Sequence, residues 1–318
     1  MRYRSLGESG LQVSVVGLGC NNFGSRLDVD GTRAVVDAAI DVGITLFDTS
    51  DTYGGGGGSE RALGEVLGSR RDQVVLATKF GGRGVDMGYG PAAGAKGSRA
   101  YIRRAVNESL RRLRTDYIDL YQQHVPDPTT PITETLAALH ELVAEGKVRY
   151  IGHSNFSGWQ LADAAHLAAG NGRTPFISAQ NHWSLLERAA EADVVPAARH
   201  FGVGVLPFFP LANGLLTGKV RQGQAIPAGT RLAGREGYVT PDKLAKVEAL
   251  IGWAQEHGVT ILDVAIGALA AQPGCSSVIA GATSAEQVKG NVAAGEWIPS
   301  ADELAEIDRI VPPPAPAG

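Results

Sequence analysis

Cysteine is nearly missing from this sequence: Cys20 and Cys275 are the only two in 318 residues. A disulfide scaffold or a cysteine-ligated zinc cluster needs more. Neither has a neighbour that would activate a thiolate, so both read as small buried residues. Long apolar runs are also missing. Nothing approaches the roughly 20 residues that cross a bilayer, and Met1-Arg2-Tyr3-Arg4 leads into polar sequence, not the apolar core of an export signal. A cytoplasmic protein without a membrane partner is expected. Positive charge is not in excess either: 29 Lys+Arg face 33 Asp+Glu, a net charge of −4, which argues against a nucleic-acid partner. Apolar residues, by contrast, make up 44%, enough for a large core and too many for global disorder.

What is present alternates. Segments 13–19, 45–49, 74–80, 117–124, 148–155, 176–182, 203–210 and 277–281 read as buried strands, each short, apolar and bounded by Gly, Pro or Asn. Helical periods fall between them. Val36, Ala39 and Ile40 share a face of 33–42, Ile102, Val106, Leu110 and Leu113 of 99–113, and Leu136, Leu139 and Val143 of 132–145. Thr32, Ser59 and Ser284 are placed to cap helix starts, and Pro241 after Thr240 suits a first helical turn.

Eight strand–helix units in roughly 300 residues fit a closed (β/α)8 barrel, an α/β fold of the TIM type. An open Rossmann sheet would want G-x-G-x-x-G after its first strand, and Gly17-Leu18-Gly19-Cys20-Asn21-Asn22 lacks the last glycine. Segments 2–5 and 11–14 read as an N-terminal β-hairpin plugging the barrel floor. The whole chain, 1–318, is expected to be one barrel domain, with 311–318 an exposed proline-rich tail that offers no interface argument. Two long interruptions, 81–97 and 211–237, follow strands at the carboxyl face, where barrels place their active sites.

Four chemically capable side chains collect at that face. Asp48 ends the second strand, Tyr53 follows five residues on, Lys79 ends the third strand and His124 the fourth. Neighbouring strands lie about 4.8 Å apart, so three successive strand ends can converge. Singly, each has a bland explanation: a loop cap, a structural histidine, a snorkelling lysine. Together they suit proton transfer to a carbonyl oxygen. A tyrosine titrates near about 10, and an adjacent ammonium is expected to lower that value. Asp48 would keep Lys79 charged and aimed, while His124 would orient the carbonyl.

The segment Leu46-Phe47-Asp48-Thr49-Ser50-Asp51-Thr52-Tyr53-Gly54 resembles the aspartate–tyrosine signature of the aldo-keto reductases. So do Ala77-Thr78-Lys79, Tyr121-Gln122-Gln123-His124, and Gly146-Lys147-Val148-Arg149-Tyr150-Ile151-Gly152 with Ser154-Asn155-Phe156. The resemblance runs from about Tyr3 to Ile310. Leu211-Ala212-Asn213-Gly214-Leu215-Leu216-Thr217-Gly218-Lys219 is similar to the bacterial branch that also contains potassium-channel β-subunits.

The resemblance implies an NAD(P)H-dependent reductase of a small aldehyde or ketone. Tyr53 would be the general acid, Lys79 and Asp48 its tuning pair, and His124 the orienting group. Ser154, Asn155 and Gln180 would hold the nicotinamide carboxamide, and Trp183 would stack on the ring. Pro210, Leu211, Gly214, Leu216, Gly218 and Lys219, with Gly281, Ala282, Thr283 and Ser284, would cradle pyrophosphate and adenosine; Gln287 and Asn291 would meet the adenine. Small residues there let the backbone approach phosphates, and a helix opening at Ser284 directs free amides toward an anion. The turn 281–285 carries no cation, which leaves Lys219, Arg221, Arg231 and Lys289 as substitutes. NADP(H) is expected over NAD(H).

Three further segments carry expectations. The run Gly54–Gly58 is either a mobile rim or a loop without a task. Loop 81–97, with Arg83, Met87 and Tyr89, would form a wall of the substrate pocket, and Trp159 would pack in a helix interface. The alternative function is a nicotinamide-binding redox sensor or regulatory subunit with little turnover; a docking surface or an N-terminal inactivating segment would mark it. A metal-dependent hydrolase would need clustered His and carboxylate ligands, which Asp48 and His124 beside Lys79 do not supply.

Overall fold

The computed structural model describes residues 1–233 and 236–314. Strands β1 (Tyr3–Ser5) and β2 (Gln12–Ser14) pair antiparallel with Arg4 opposite Val13. This is the expected hairpin. Leu6 and Val13 are fully buried against Leu46, Ala77, Leu120, Leu206 and Ile279, so the hairpin seals the amino-terminal end of the larger sheet.

That sheet has eight parallel strands: β3 (Val16–Gly19), β4 (Leu46–Asp48), β5 (Val75–Phe80), β6 (Ile118–Gln123), β7 (Val148–Ser154), β8 (Phe176–Gln180), β9 (Gly204–Val205) and β10 (Val278–Gly281). Their order is β10-β3-β4-β5-β6-β7-β8-β9. The two outer strands also meet. Val205 bridges Cys275 and Phe208 bridges Ile279, both in parallel, and the Ile279 amide donates to the Pro207 carbonyl at 3.0 Å. The ring is closed as a (β/α)8 barrel. β9 is short because Pro207 and Pro210 cannot donate to a ladder.

Helices wrap the barrel because each crossover carries one apolar stripe. Val35 and Val36 of Val29–Asp41, Leu63 of Gly58–Leu67, Ile102 and Val106 of Arg99–Leu113, and Leu136 and Leu139 of Ile132–Ala144 share one continuous core. The first helix begins earlier than its periodicity suggested. Asp28, not Thr32, caps it by accepting from the Gly31 amide, and Thr32 is buried inside. Ser59 is likewise no cap. It lies within its helix, and its hydroxyl bonds Thr49 Oγ1 at 2.7 Å and the Cys20 carbonyl at 2.8 Å, tying that helix to two strand ends. Ser284 and Thr240 do cap, accepting from the Gln287 and Lys243 amides. Val311 is buried and its carbonyl accepts from Arg188, so the tail turns outward only at Pro312; residues 315–318 lie outside those described. Among the described residues no helix is long and apolar enough to cross a membrane.

Candidate active site

Strand register assembles a polar layer at the carboxyl end of the barrel. Asp48 sits across from Ala77 on β5, Lys79 across from Gln122 on β6, and Ser154 across from Gln180 on β8. The Lys79 ammonium donates to Asp48 Oδ2 at 2.7 Å and to the Thr49 carbonyl at 2.9 Å. On the other side, Asp48 Oδ1 accepts from Gln180 at 2.9 Å and Gln122 at 3.3 Å. Donors on both oxygens of this buried carboxylate stand in for the waters it has lost. Burial works against the charge on Lys79, yet Asp48 and the facing Tyr53 hydroxyl outweigh it and raise the pKa. Gly152 has a role here. A Cβ on it would stand 1.9 Å from Ser178 Oγ, the hydroxyl that donates to Gln122.

Tyr53 reaches this layer from the loop after β4, its hydroxyl 3.5 Å from Lys79 Nζ. The expected acidification is absent. Burial pushes the phenol above its usual value, and the opposing attraction of Lys79 is partly cancelled by Asp48 behind it. The ammonium is already spoken for, so it acts on Tyr53 as half of a neutralised pair. Tyr53 stays protonated throughout the neutral range.

The glycines that follow are structured. Gly54 to Gly57 all have φ between +68° and +87°, a left-handed run that side chains avoid. A Cβ on Gly54 would lie 2.8 Å from the Phe23 carbonyl, and one on Gly57 would lie 2.4 Å from Arg112 Cδ. The run is a turn pinned at Gly54 and Gly57, with open space at Gly55 and Gly56, that follows Tyr53 at the barrel mouth.

His124 completes the group, its ring meeting that of Tyr53 edge-on at 5.8 Å between centroids. The Asn155 amide, held by a backbone at φ +61°, donates to the His124 carbonyl at 2.9 Å. Burial, then the Lys79 and Lys96 charges, bring the imidazole down to about 3, so it is neutral at working pH. Its Nδ1 faces Ser50 Oγ at 3.1 Å.

Above these groups opens a cavity of about 910 Å3, near the top of the range of roughly 300–1,000 Å3 for ligand pockets. Asp48, Tyr53, His124, Ser154, Asn155 and Gln180 form its inner end; Pro210, Leu211, Gly214, Lys219, Gly281, Thr283, Gln287 and Asn291 line the rest. Lys79 lies just beneath, fully buried. Several expected contacts fall elsewhere. Trp183 is buried in the core with its indole donating to Glu191 at 2.8 Å, and it does not reach the cavity. The aromatic rings from that side are Phe208 and Phe209. Leu216 packs in a separate core cluster, while Gly218, Ala282 and Ser284 stand behind the lining. Arg83, Met87 and Tyr89 contribute nothing to the wall: Arg83 is exposed and Tyr89 is buried beside Tyr101. Trp159 is 70% exposed instead of packed.

Pro227, Ala228, Gly229 and Thr230 also line the cavity without a sequence signal of their own; they come, together with the cation candidate Arg231, from loop 211–237, of which residues 234 and 235 lie outside those described. Arg231 reaches across to Asn21 and Asn22 at 3.2 and 2.9 Å, drawing this loop over the cavity. Gln122 was findable: a glutamine in the middle of an apolar strand is out of place unless something buried needs it.

Comparison with known proteins agrees with this geometry. Residues 15–312 match the model of the aldo/keto reductase family. The uncharacterized oxidoreductase YrpG of Bacillus subtilis is 38% identical over 320 residues, covering 99% of this chain and 97% of that protein. A probable voltage-gated potassium channel subunit beta of Oryza sativa is 36% identical over 94% of this chain and 92% of its own length. The L-glyceraldehyde 3-phosphate reductase of Escherichia coli K12 is 34% identical over 98% and 92% respectively. This chain belongs to the aldo/keto reductase family.

Proposed function

We propose that the protein reduces an aldehyde or ketone to an alcohol, with Tyr53 as the proton donor and NADP(H) as the redox partner. One observation carries the reading: a phenol 3.5 Å from a buried ammonium, at the inner end of a long cavity and beside a neutral histidine.

The cavity wall has the donors a dinucleotide requires. The helix Ala285–Glu296 opens onto it beside Gly281 and Thr283, and twelve residues give that terminus a full share of helix dipole. Asn213 adds an acceptor: its Oδ1 is buried there with no hydrogen-bond partner among the described residues. Phe208 takes over the flat apolar face assigned to Trp183. Among the cation candidates, Arg221 is held by Glu248 at 2.6 Å and Lys289 is off the wall, whereas Lys219 and Arg231 both line the cavity, Arg231 turned toward Asn21 and Asn22. Lys219 and Arg231 are therefore the residues to meet a ribose 2′-phosphate.

When bound, reduced nicotinamide supplies hydride to a carbonyl carbon. The chain does the rest. His124 and Tyr53 converge on the carbonyl oxygen, and Tyr53 releases its proton there as negative charge develops. Lys79 then steadies the phenolate, because an ammonium at 3.5 Å acts far more strongly on an anion than on a neutral phenol. Asp48 keeps Lys79 in place throughout.

Steady-state assays with 4-nitrobenzaldehyde and a panel of simple aldehydes test this. Turnover with NADPH exceeding that with NADH is expected. Firm nucleotide binding with no turnover on any carbonyl would favour the redox-sensor alternative.

A further inference from the structure

Behind His124 lies a chain of groups that carbonyl reduction, as described, leaves unused. Ser50 Oγ sits 3.1 Å from His124 Nδ1 and 3.2 Å from Asp51 Oδ1. Asp51 is fully buried, and its Oδ2 has no hydrogen-bond partner among the described residues. We propose, resting on the carbonyl-reductase reading, that Asp51 acting through Ser50 sets which ring nitrogen of His124 carries the proton, and so positions the carbonyl.

The argument is a count of donors and lone pairs. A serine hydroxyl has one hydrogen and two acceptor positions. The Thr52 amide, 3.3 Å away, donates to one of those positions. With Asp51 ionised, Ser50 turns its hydrogen to the carboxylate and accepts from Nδ1–H of His124. Nε2 is then bare and can only accept. With Asp51 protonated, the carboxyl donates to Ser50, Ser50 donates to Nδ1, and the histidine hydrogen sits on Nε2. A carbonyl oxygen needs that donor. The second arrangement holds one proton more than the first, taken from solvent at the Nε2 side as the Nδ1 and Ser50 protons each move one place toward Asp51. Both arrangements satisfy every position on Ser50. The Thr52 hydroxyl, 3.1 Å from Ser50 Oγ, is the competing partner in each.

The surroundings let Asp51 take up that proton at working pH. Burial raises its carboxyl, the Glu60 carboxylate raises it further, and Arg112, the Ser50 hydroxyl and the Gly81 amide oppose; the result is about 7. Arg112 cannot give Asp51 its full charge because Glu60 already holds it at 2.6 Å. Tyr89, Tyr101 and Tyr121, the other titratable groups in this pocket, are all raised by burial and stay neutral. His124, flanked by Lys79 and Lys96, stays neutral too, so its single ring hydrogen must choose a nitrogen.

Nitrogen-15 NMR of the histidine-labelled full chain, without ligand, reads that choice directly. The wild-type signal is expected to pass from an Nε2–H to an Nδ1–H pattern as pH rises through about 7. Ser50→Ala and Asp51→Asn are expected to lose the transition while keeping the wild-type circular dichroism. In parallel, kcat/KM for 4-nitrobenzaldehyde should fall through the same pH in wild type and lose that inflection in both variants. One tautomer at every pH in wild type, or a transition surviving in Ser50→Ala, overturns the relay. A tautomer switch in a protein that turns over no carbonyl supports the relay and overturns the reductase reading instead.

Discussion

Lys79 and Asp48 form an ion pair at 2.7 Å with side chains 0% and 4% exposed. Breaking such a pair costs more than the pair itself contributes, because the survivor is left charged and dry. Lys79→Met is expected to lower unfolding free energy by about 3–5 kcal/mol. A double variant, Lys79→Met with Asp48→Leu, is expected to recover part of that loss while remaining inactive; the rest persists because Gln180 and Gln122 lose their acceptor. Urea titrations of the three proteins make the comparison; equal losses in single and double variants would show that the pair is not what holds this region.

Tyr53→Phe removes one oxygen and keeps the ring against His124. Turnover is expected to drop by roughly 10²–10⁴, the usual share of a general acid. Nucleotide affinity, followed by fluorescence quenching, is expected to stay within about twofold. A variant with unchanged kcat would remove Tyr53 from the mechanism.

Two glycines should respond in opposite directions to the same methyl group. At Gly57, φ is +87° and an added Cβ meets Arg112; Gly57→Ala is expected to destabilise by about 1–3 kcal/mol. Gly252 lies inside the helix Pro241–Glu256 with open space around it. There the substitution is expected to stabilise by about 0.5–1 kcal/mol. Thermal melts compare the pair, and a neutral Gly57→Ala would show that the glycine run is freer than its contacts imply.

The dependence of stability on pH follows from groups shifted in opposite senses. Asp51 binds its proton more tightly folded, at about 7, than unfolded. Its contribution is therefore complete below the unfolded carboxylate value of about 4 and disappears as pH rises through about 7. His153 is the reverse case. It is fully buried, stacked on Phe156 at 4.5 Å, with neither ring nitrogen bonded among the described residues, and burial lowers it to about 3. Its contribution is present above about 6.5 and vanishes as pH falls toward about 3. Asp51→Asn should thus remove a loss of stability that develops as pH rises from about 4 to about 7, and His153→Leu a gain that develops as pH rises from about 3 to about 6.5, so the two variants tilt a urea-midpoint profile in opposite senses over the same acid-to-neutral range. An unchanged slope there would place the responsible protons on other groups.

Much of the catalytic end was legible because it depends on chain-local facts. A residue at the carboxyl end of a parallel strand is delivered to one face of the barrel whatever surrounds it, which is why Asp48, Lys79 and His124 could be brought together from spacing. Strand and helix order followed from apolar periodicity in the same way. Trp183 misled because an aromatic after a strand end points to the mouth or the core according to the packing of its own loop, here fixed by Glu191. Ser50 and Asp51 were invisible as a pair of functional residues; in sequence they are two polar letters in a turn.

The sequence by itself determined the barrel, its hairpin and the identity of the groups at its mouth, since side-chain alternation and strand order are written along the chain. Tertiary structure alone decided their electrostatic state. Whether a phenol is acidified, a carboxyl is neutral near 7 or an arginine spans the cavity depends on which distant segments exclude water and which charges are already paired. Those are properties of the packed interior, where the dielectric and the neighbours are set together.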